Sequence, residues 1–318
     1  MATPALGTNR TEKHRKRLPI YRAGGSEEPT FTALKAKELK IAAEVAAMDL
    51  DELRRWPLLS CNAKTSVSLD FPIGHTCDPT AICARVCYAA GPRAAATWRK
   101  SLRKRLRNLR YFRLEEPHEA AWQLGREFGR ARRRWEPRAN LDYLRINGSG
   151  DLFPEIVPVL NFFASYYGGI RLWIVTRRPE LAAQIAPLPN VYLQLSLDAS
   201  TPPELVERSR FLAATHPRAY LSFLRTAPKD DTRGAAIVFN EKRTPGLPYH
   251  GRTDCPVDAG RLPLDNIRGT GGTACATCRK CFSERTLERQ RESTDAASKP
   301  DQRGLAEAQP REPGRADR

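Results

Sequence analysis

The fold of this chain is restricted most by an alternation of apolar runs and helical patterns from residue 141 onward. Runs rich in Val, Ile, Leu and Tyr predict strands, and segments between them have helical spacing. The predicted strands are 65–70, 141–147, 170–176, 191–197, 219–224 and 235–239. The predicted helices are 155–167, 178–186 and 202–215. Strands that alternate with helices form βα units, so we predict an α/β fold with a parallel sheet.

Residues 90–136 separate the first two strands and are predicted to hold one or two helices. In the helix 98–113, four apolar side chains share one face: Leu102, Leu106, Leu109 and Phe112. The other positions include eight Lys or Arg and no acidic residue. Such a face suits a nucleic-acid backbone, and it equally suits an ordinary solvated helix.

The whole chain of 318 residues has a net charge of +17, which favours an anionic partner such as DNA or RNA. No secretory signal is visible in residues 1–30, and no apolar run is long enough to span a bilayer. We therefore expect a cytoplasmic protein without a membrane partner, in which thiols stay reduced. The sequence does not predict the oligomeric state.

The chain is predicted to divide into four segments. Residues 1–30 are expected to be a disordered basic arm, and 283–318 a disordered tail, because both have few large apolar side chains. The α/β unit is expected over 60–245, followed by a cysteine-rich segment over 250–282.

Seven of the eight cysteines fall into two groups. The second group has three cysteines spaced by two residues and a remote Cys-Pro: Cys255, Cys275, Cys278 and Cys281. Four thiolates of this kind ligate a [4Fe–4S] cluster, and tetrahedral zinc accepts the same ligands. We expect Cys61, the eighth cysteine, to be a small buried residue.

The first group, Cys77, Cys83 and Cys87, offers three thiolates where a closed site needs four. A [4Fe–4S] cluster held by three cysteines leaves one iron open to another ligand, such as S-adenosylmethionine. His75 supplies the alternative, since it would complete a Cys3His zinc site.

The stretch "NAKTSVSLDFPIGHTCDPTAICARVCYAAG" (62–91) has an Asn-x-Lys-Thr start and a closing Cys-Tyr-Ala. In these features it resembles the phage gene product 88 family, and the resemblance runs from about Ser60 to Phe282. The architecture is similar to the radical S-adenosylmethionine superfamily. This resemblance implies a partial (β/α)6 TIM-like barrel over 60–245, a cysteine loop after the first strand and a C-terminal auxiliary cluster.

The resemblance also implies cofactor-binding residues. "NGSGD", with Gly148, Gly150 and Asp151, would receive the methionine end of S-adenosylmethionine, and Ser196 and Asp198 in "LSLD" its ribose. The cysteine spacing departs from the superfamily, which usually has x3 and x2 where this chain has x5 and x3.

We therefore expect a radical S-adenosylmethionine-like iron–sulfur protein that modifies or repairs DNA or RNA held by helix 98–113. The alternative is a non-catalytic, zinc-stabilised nucleic-acid-binding protein. The first expectation requires the cysteine loop, "GSGD" and "LSLD" to meet at one edge of the sheet.

Overall fold

Seven strands form one sheet in the computed structural model, which describes residues 32–62, 65–73, 75–87, 98–135, 141–241, 247, 253–256 and 274–298. The strands lie in chain order across the sheet. They are β1 (Leu59–Asn62), β2 (Ser66–Leu69), β3 (Tyr143–Ile146), β4 (Arg171–Thr176), β5 (Val191–Asp198), β6 (Ala219–Arg225) and β7 (Ile237–Asn240).

Strands β2 to β7 are all parallel, and β1 pairs antiparallel with β2. All six predicted strands are present, so the α/β prediction is confirmed. Strand β1 was not predicted, because "LSCN" is short and half polar. The sheet is open, with β1 and β7 at its two edges, and it does not close into a barrel.

Ten α-helices occur among the described residues, together with a 3-10 turn at Lys280–Phe282. Those before β3 are α1 (Thr32–Ala46), α2 (Leu50–Arg54), α3 (Ala81–Val86), α4 (Trp98–Leu114) and α5 (Pro117–Trp135). The later ones are α6 (Ile156–Tyr166), α7 (Pro179–Ala182), α8 (Pro203–Thr215), α9 (Ala274–Cys278) and α10 (Glu284–Ser298). Helix α7 is shorter than the predicted 178–186. No helix in the described ranges is long and apolar enough to cross a membrane.

The two faces of the sheet have different cores, because successive side chains of a strand point to opposite faces. One face packs aliphatic side chains such as Leu144 and Leu193 against helices, including Phe163 of α6. The other face is aromatic and is covered by the C-terminal segment. It consists of Tyr143, Trp173, Tyr192 and Tyr220 with Phe282 and Leu287.

The prediction of disorder from residue 283 onward is wrong for Glu284–Ser298, which is helix α10. Leu287 is 1% exposed, and the Gln290 side chain accepts a hydrogen bond from the Leu221 backbone N–H at 2.8 Å. Arg218 also pairs with Glu284 at 2.9 Å. These three contacts therefore hold α10 against the sheet, although most of its residues are polar. The predictions for residues 1–30 and 299–318 lie outside the described residues.

Candidate functional site

The cysteine loop 77–87 is attached to the carboxyl ends of two strands. The Thr76 hydroxyl oxygen accepts a hydrogen bond from the Asp151 backbone N–H at 3.0 Å, just after β3. The Thr80 hydroxyl donates to the Asp198 carboxylate at 2.5 Å, at the end of β5. The Ile82 N–H donates to the Ser200 hydroxyl at 2.9 Å. The loop thus lies at the edge where parallel α/β sheets form their sites.

The turn 147–151 packs closely against the segment that follows β2. Phe71 N–H donates to the Ser149 carbonyl at 2.9 Å, and the Ser149 hydroxyl donates to the Phe71 carbonyl at 3.0 Å. Gly150 has φ +78°, and a Cβ there would lie 2.7–2.8 Å from atoms of Phe71 and Thr76. A Cβ at Gly148 would overlap the Asp70 carboxylate. Gly150 is therefore needed where the turn 147–151 meets Phe71 and Thr76, and Gly148 where it meets the side chains of Asp70 and Ser68.

Replacing Gly150 with alanine is expected to lower the free energy of unfolding by about 1–3 kcal/mol, because it adds a left-handed alanine and a steric overlap. Urea unfolding measures the change. Gly169→Ala is the control, since a Cβ there meets no atom within 4 Å. Equal stability of the two variants would contradict the close contact at Gly150.

Asp151 is a buried carboxylate that joins the ends of β3 and β4. It accepts hydrogen bonds from the Thr176 hydroxyl at 2.5 Å, the Leu152 N–H at 2.7 Å and the Arg177 N–H at 3.1 Å. Burial raises the pKa of Asp151 to about 6, and these hydrogen bonds oppose the rise. The carboxylate therefore positions the edge on which the cysteine loop lies.

The pKa of Asp151 predicts a pH-dependent stability. Between the ordinary pKa of 3.8 and about 6, the folded carboxyl keeps a proton that the unfolded chain has lost. Raising the pH through this window therefore removes stability, by up to about 3 kcal/mol. Asp151→Asn does not titrate, so the difference in unfolding free energy between wild type and variant is expected to fall across this window. A difference that stays constant would contradict the raised pKa.

Asp198, Arg177 and Cys83 lie together at the same edge. Arg177 forms an ion pair with Asp198 at 2.9 Å, and Asp198 also accepts from the Ser200 N–H at 2.9 Å. Burial raises the pKa of the Cys83 thiol, and the nearby positive charge of Arg177 opposes that rise. The negative charges of Cys87, Asp198 and Asp151 act in the same direction as burial. Cys83 is thus near both predicted aspartates.

Ser196 belongs to a polar network on the aromatic face of the sheet. Its hydroxyl lies 3.1 Å from that of Ser222, which accepts from the Gln194 side chain at 3.0 Å. The Gln194 oxygen accepts from Trp173 and Tyr220, each at 2.9 Å. Ser196 therefore lies on the aromatic face, one strand away from Thr176 and Arg177 at the end of β4.

The second group of cysteines lines one cavity. Ile237 and Phe282 line this cavity together with all four cysteines of the group, which are Cys255, Cys275, Cys278 and Cys281. The pKa of the Cys281 thiol is raised well above its ordinary value, first by burial and then by the other three cysteines. Cys255 is fixed beside β7 by its backbone N–H, which donates to the Val238 carbonyl at 2.9 Å.

The donor set of this cavity fits zinc or an iron–sulfur cluster, since both take four thiolates. Among the described residues, no three His, Cys, Asp or Glu side chains already have metal-binding geometry. All four cysteines nevertheless line this one cavity, and a metal that binds there would displace the protons of their thiols. His75 and Cys61 are both exposed. The expectation of a buried Cys61 is therefore wrong, because β1 is an edge strand.

The basic helix 98–113 packs its predicted apolar face into the protein, with Leu102 2% and Phe112 2% exposed. Several of its cations contact the protein. Two form ion pairs, Arg103 with Glu44 and Arg113 with Glu155 at 3.4 Å. Two donate hydrogen bonds to backbone carbonyls, Lys104 to Leu59 and Arg110 to Met48 at 3.0 Å. The Arg107 guanidinium lies 4.0 Å from the centroid of the Trp56 ring. Much of this positive charge therefore attaches α4 to neighbouring elements.

Sequence reasoning did not single out Thr76 and Thr80, although they attach the loop. Thr80 had one local signal, as the N-cap of α3 that accepts from the Cys83 N–H at 3.2 Å. Their partners, Asp151 and Asp198, are distant in the chain. The sequence indicates these two aspartates only because each lies at the end of a predicted strand.

Comparison with known proteins gives one assignment. The chain matches no curated protein and no solved structure. A family model described as gene product 88 matches residues 32–284, which include the sheet and both cysteine groups. The chain therefore belongs to the gene product 88 family.

Proposed function

We propose that this protein is a radical S-adenosylmethionine-like iron–sulfur protein. In this proposal Cys77, Cys83 and Cys87 hold a [4Fe–4S] cluster with one iron open to the cofactor. When both are bound, the cluster and S-adenosylmethionine would together supply a carbon radical, formed by reductive cleavage of S-adenosylmethionine. Six parallel strands in chain order support a partial (β/α)6 barrel, because this order is the one that such a barrel requires.

The observation that carries the proposal is the attachment of the cysteine loop to the ends of β3 and β5. Two threonine–aspartate hydrogen bonds, Thr76 with Asp151 and Thr80 with Asp198, join segments far apart in the chain. They bring Cys83 to the strand ends where α/β proteins bind small molecules.

The residues around the loop have separate roles in this proposal. The turn with Gly148, Gly150 and Asp151 receives the methionine end of the cofactor, and Ser196 with Asp198 receives the ribose. Asp151 and Asp198 also position the loop, since both carboxylates accept hydrogen bonds from it or from the strand ends. Burial raises the pKa of the Cys83 thiol, and the positive charge of Arg177 opposes this rise in favour of the thiolate.

The second group, Cys255, Cys275, Cys278 and Cys281, would hold an auxiliary [4Fe–4S] cluster on the aromatic side of the sheet. The four thiols line one cavity, and Phe282 next to them stacks on Tyr143 at 4.2 Å between ring centroids. The cluster would thereby join the C-terminal segment to the sheet.

Iron and sulfide content of protein purified without oxygen tests the proposal. About eight irons with matching sulfide are expected for two clusters, and about four for one. Thr80→Val is expected to reduce iron at the first group only, because it removes the hydrogen bond to Asp198. Thr215→Val is the matched control, since its hydroxyl donates only to the nearby Phe211 carbonyl on an exposed helix. Protein without iron or sulfide would overturn the proposal.

The alternative function is a zinc-stabilised nucleic-acid-binding protein without catalysis. The observation that favours it is the cavity of four cysteines, because four thiolates form a closed zinc site. Zinc at both cysteine groups, about two per chain, without sulfide or visible colour would support this alternative.

A further inference from the structure

Helices α5 and α6 expose three large aromatic side chains on the outer side of the sheet. Trp122 is 51% exposed, Phe162 40% and Tyr166 60%. We call these, with three exposed arginines of α5, the aromatic–arginine surface; its residues are Trp122, Arg126, Arg130, Arg133, Phe162 and Tyr166. Contiguous exposed apolar patches often mark a surface that binds another molecule.

The aromatic residues are held by contact between the two helices. The His118 ring lies 6.5 Å from that of Phe162, and Phe162 stacks on Tyr166 at 5.9 Å with 24° between the ring planes. A Cβ on Gly125 would overlap Tyr167, so the helices approach closely there. The rings of His118, Phe162 and Tyr166 therefore form an exposed row, and Trp122 lies one helical turn beyond His118 on the same side of α5.

Arginines extend this row along α5. The Arg126 guanidinium lies 4.4 Å from the centroid of the Trp122 ring, and Arg130 and Arg133 follow one and two turns later, both exposed. Glu119, the acidic residue at the start of this face, lies 3.4 Å from His118. In contrast to α4, whose cations contact neighbouring elements, this face directs positive charge to solvent.

We propose that the aromatic–arginine surface binds single-stranded nucleic acid. Unpaired bases stack on exposed aromatic rings, and arginines beside the rings neutralise the phosphates. A duplex hides the faces of its bases, so it would gain only the charge contacts. The surface lies on the helix-covered side of the sheet and needs neither cysteine group, so this inference is independent of the proposed cofactors.

Fluorescence anisotropy of the full chain tests the inference, with a labelled thymidine oligomer of about 16 nucleotides and a duplex of the same length as probes. The single strand is expected to bind more tightly than the duplex. Affinity for the single strand is expected to fall as salt rises from about 50 to 200 mM, because phosphate contacts release counterions.

Two kinds of variant separate stacking from charge. Trp122→Ala is expected to weaken binding about tenfold or more, and Trp122→Phe, which keeps a ring, to retain most of it. Arg126→Gln with Arg130→Gln is expected to reduce the salt dependence by about one counterion each. Phe211→Ala and Arg208→Gln are matched controls on α8, where Phe211 is 70% exposed and Glu204 and Glu207 precede the arginines.

The inference is overturned if Trp122→Ala binds the single strand as tightly as the wild type. It is also overturned if the duplex binds equally well, or if Phe211→Ala causes the same loss. Thermal unfolding and metal content of Trp122→Ala are expected to match the wild type, because the side chain is exposed. A failure of nucleic-acid binding is thereby distinguished from a failure of the proposed iron–sulfur function.

Discussion

Replacing Arg225 with methionine is expected to lower the free energy of unfolding by about 3–5 kcal/mol. Arg225 and Asp254 form an ion pair at 3.1 Å, and each side chain is only 1% exposed. Removal of one partner leaves the other charge buried without its counterion, which is far more costly than the loss of a surface pair. Urea unfolding at neutral pH measures the change.

Two controls accompany this variant. Arg233→Met removes an exposed ion pair with Asp231, at 2.9 Å with the arginine 90% exposed, and is expected to cost about 1 kcal/mol or less. The double variant Arg225→Met/Asp254→Leu is expected to recover much of the lost stability, because no unpaired charge remains. An Arg225→Met protein as stable as Arg233→Met would contradict the buried pair.

The ion pair between Arg225 and Asp254 also lies next to the second cysteine group. Asp254 precedes Cys255, and its carbonyl accepts a hydrogen bond from the Lys280 ammonium at 2.6 Å, next to Cys281. Arg225 at the end of β6 therefore helps to hold the segment that carries Cys255. Metal content is expected to fall in Arg225→Met along with stability, and to remain unchanged in Arg233→Met.

The parallel strands could be predicted from the sequence because both their faces are buried. Strands such as "RLWIVT" (171–176) and "VYLQLSLD" (191–198) are nearly continuous apolar runs, which is typical of parallel sheets. Strand β1 and helix α10 escaped prediction, because their composition is largely polar and their stability depends on tertiary contacts. For α10 these contacts are Leu287 in the core and Arg218 with Glu284.

The candidate site could be predicted only in part. Spacing identified the two cysteine groups, but no local pattern shows that Thr80 bonds to Asp198, 118 positions later. The sequence of helix 98–113 suits both a nucleic-acid contact and a solvated face for the same reason. Whether an arginine faces solvent or a partner such as Glu44 depends on elements distant in the sequence. The exposed row on α5 and α6 arises from two separate helices and has no single sequence motif.

If the second cysteine group holds a metal as proposed, replacing Cys281 with alanine is expected to remove that metal and to lower the unfolding temperature of the protein. Cys281 lines the cavity together with Cys255, Cys275 and Cys278. Its backbone carbonyl accepts a hydrogen bond from the Tyr220 hydroxyl at 2.6 Å, and the neighbouring Phe282 stacks on Tyr143. Structural metal sites contribute on the order of 10 kcal/mol to folding, so their loss has a large effect.

Cys61→Ala is the matched control for this variant, because Cys61 is an exposed thiol on β1. It is expected to keep the metal content and thermal stability of the wild type. A chelator is expected to lower the unfolding temperature of the wild type and of Cys61→Ala. It is expected to leave the unfolding temperature of Cys281→Ala unchanged, because this variant has no metal at the second group to lose. If Cys281→Ala keeps full metal content and full stability, the cavity is an ordinary part of the core and the metal is bound by the loop 77–87 alone. If Cys281→Ala instead loses both the metal and the packing of α10 on the sheet, the second group connects the C-terminal segment to the sheet.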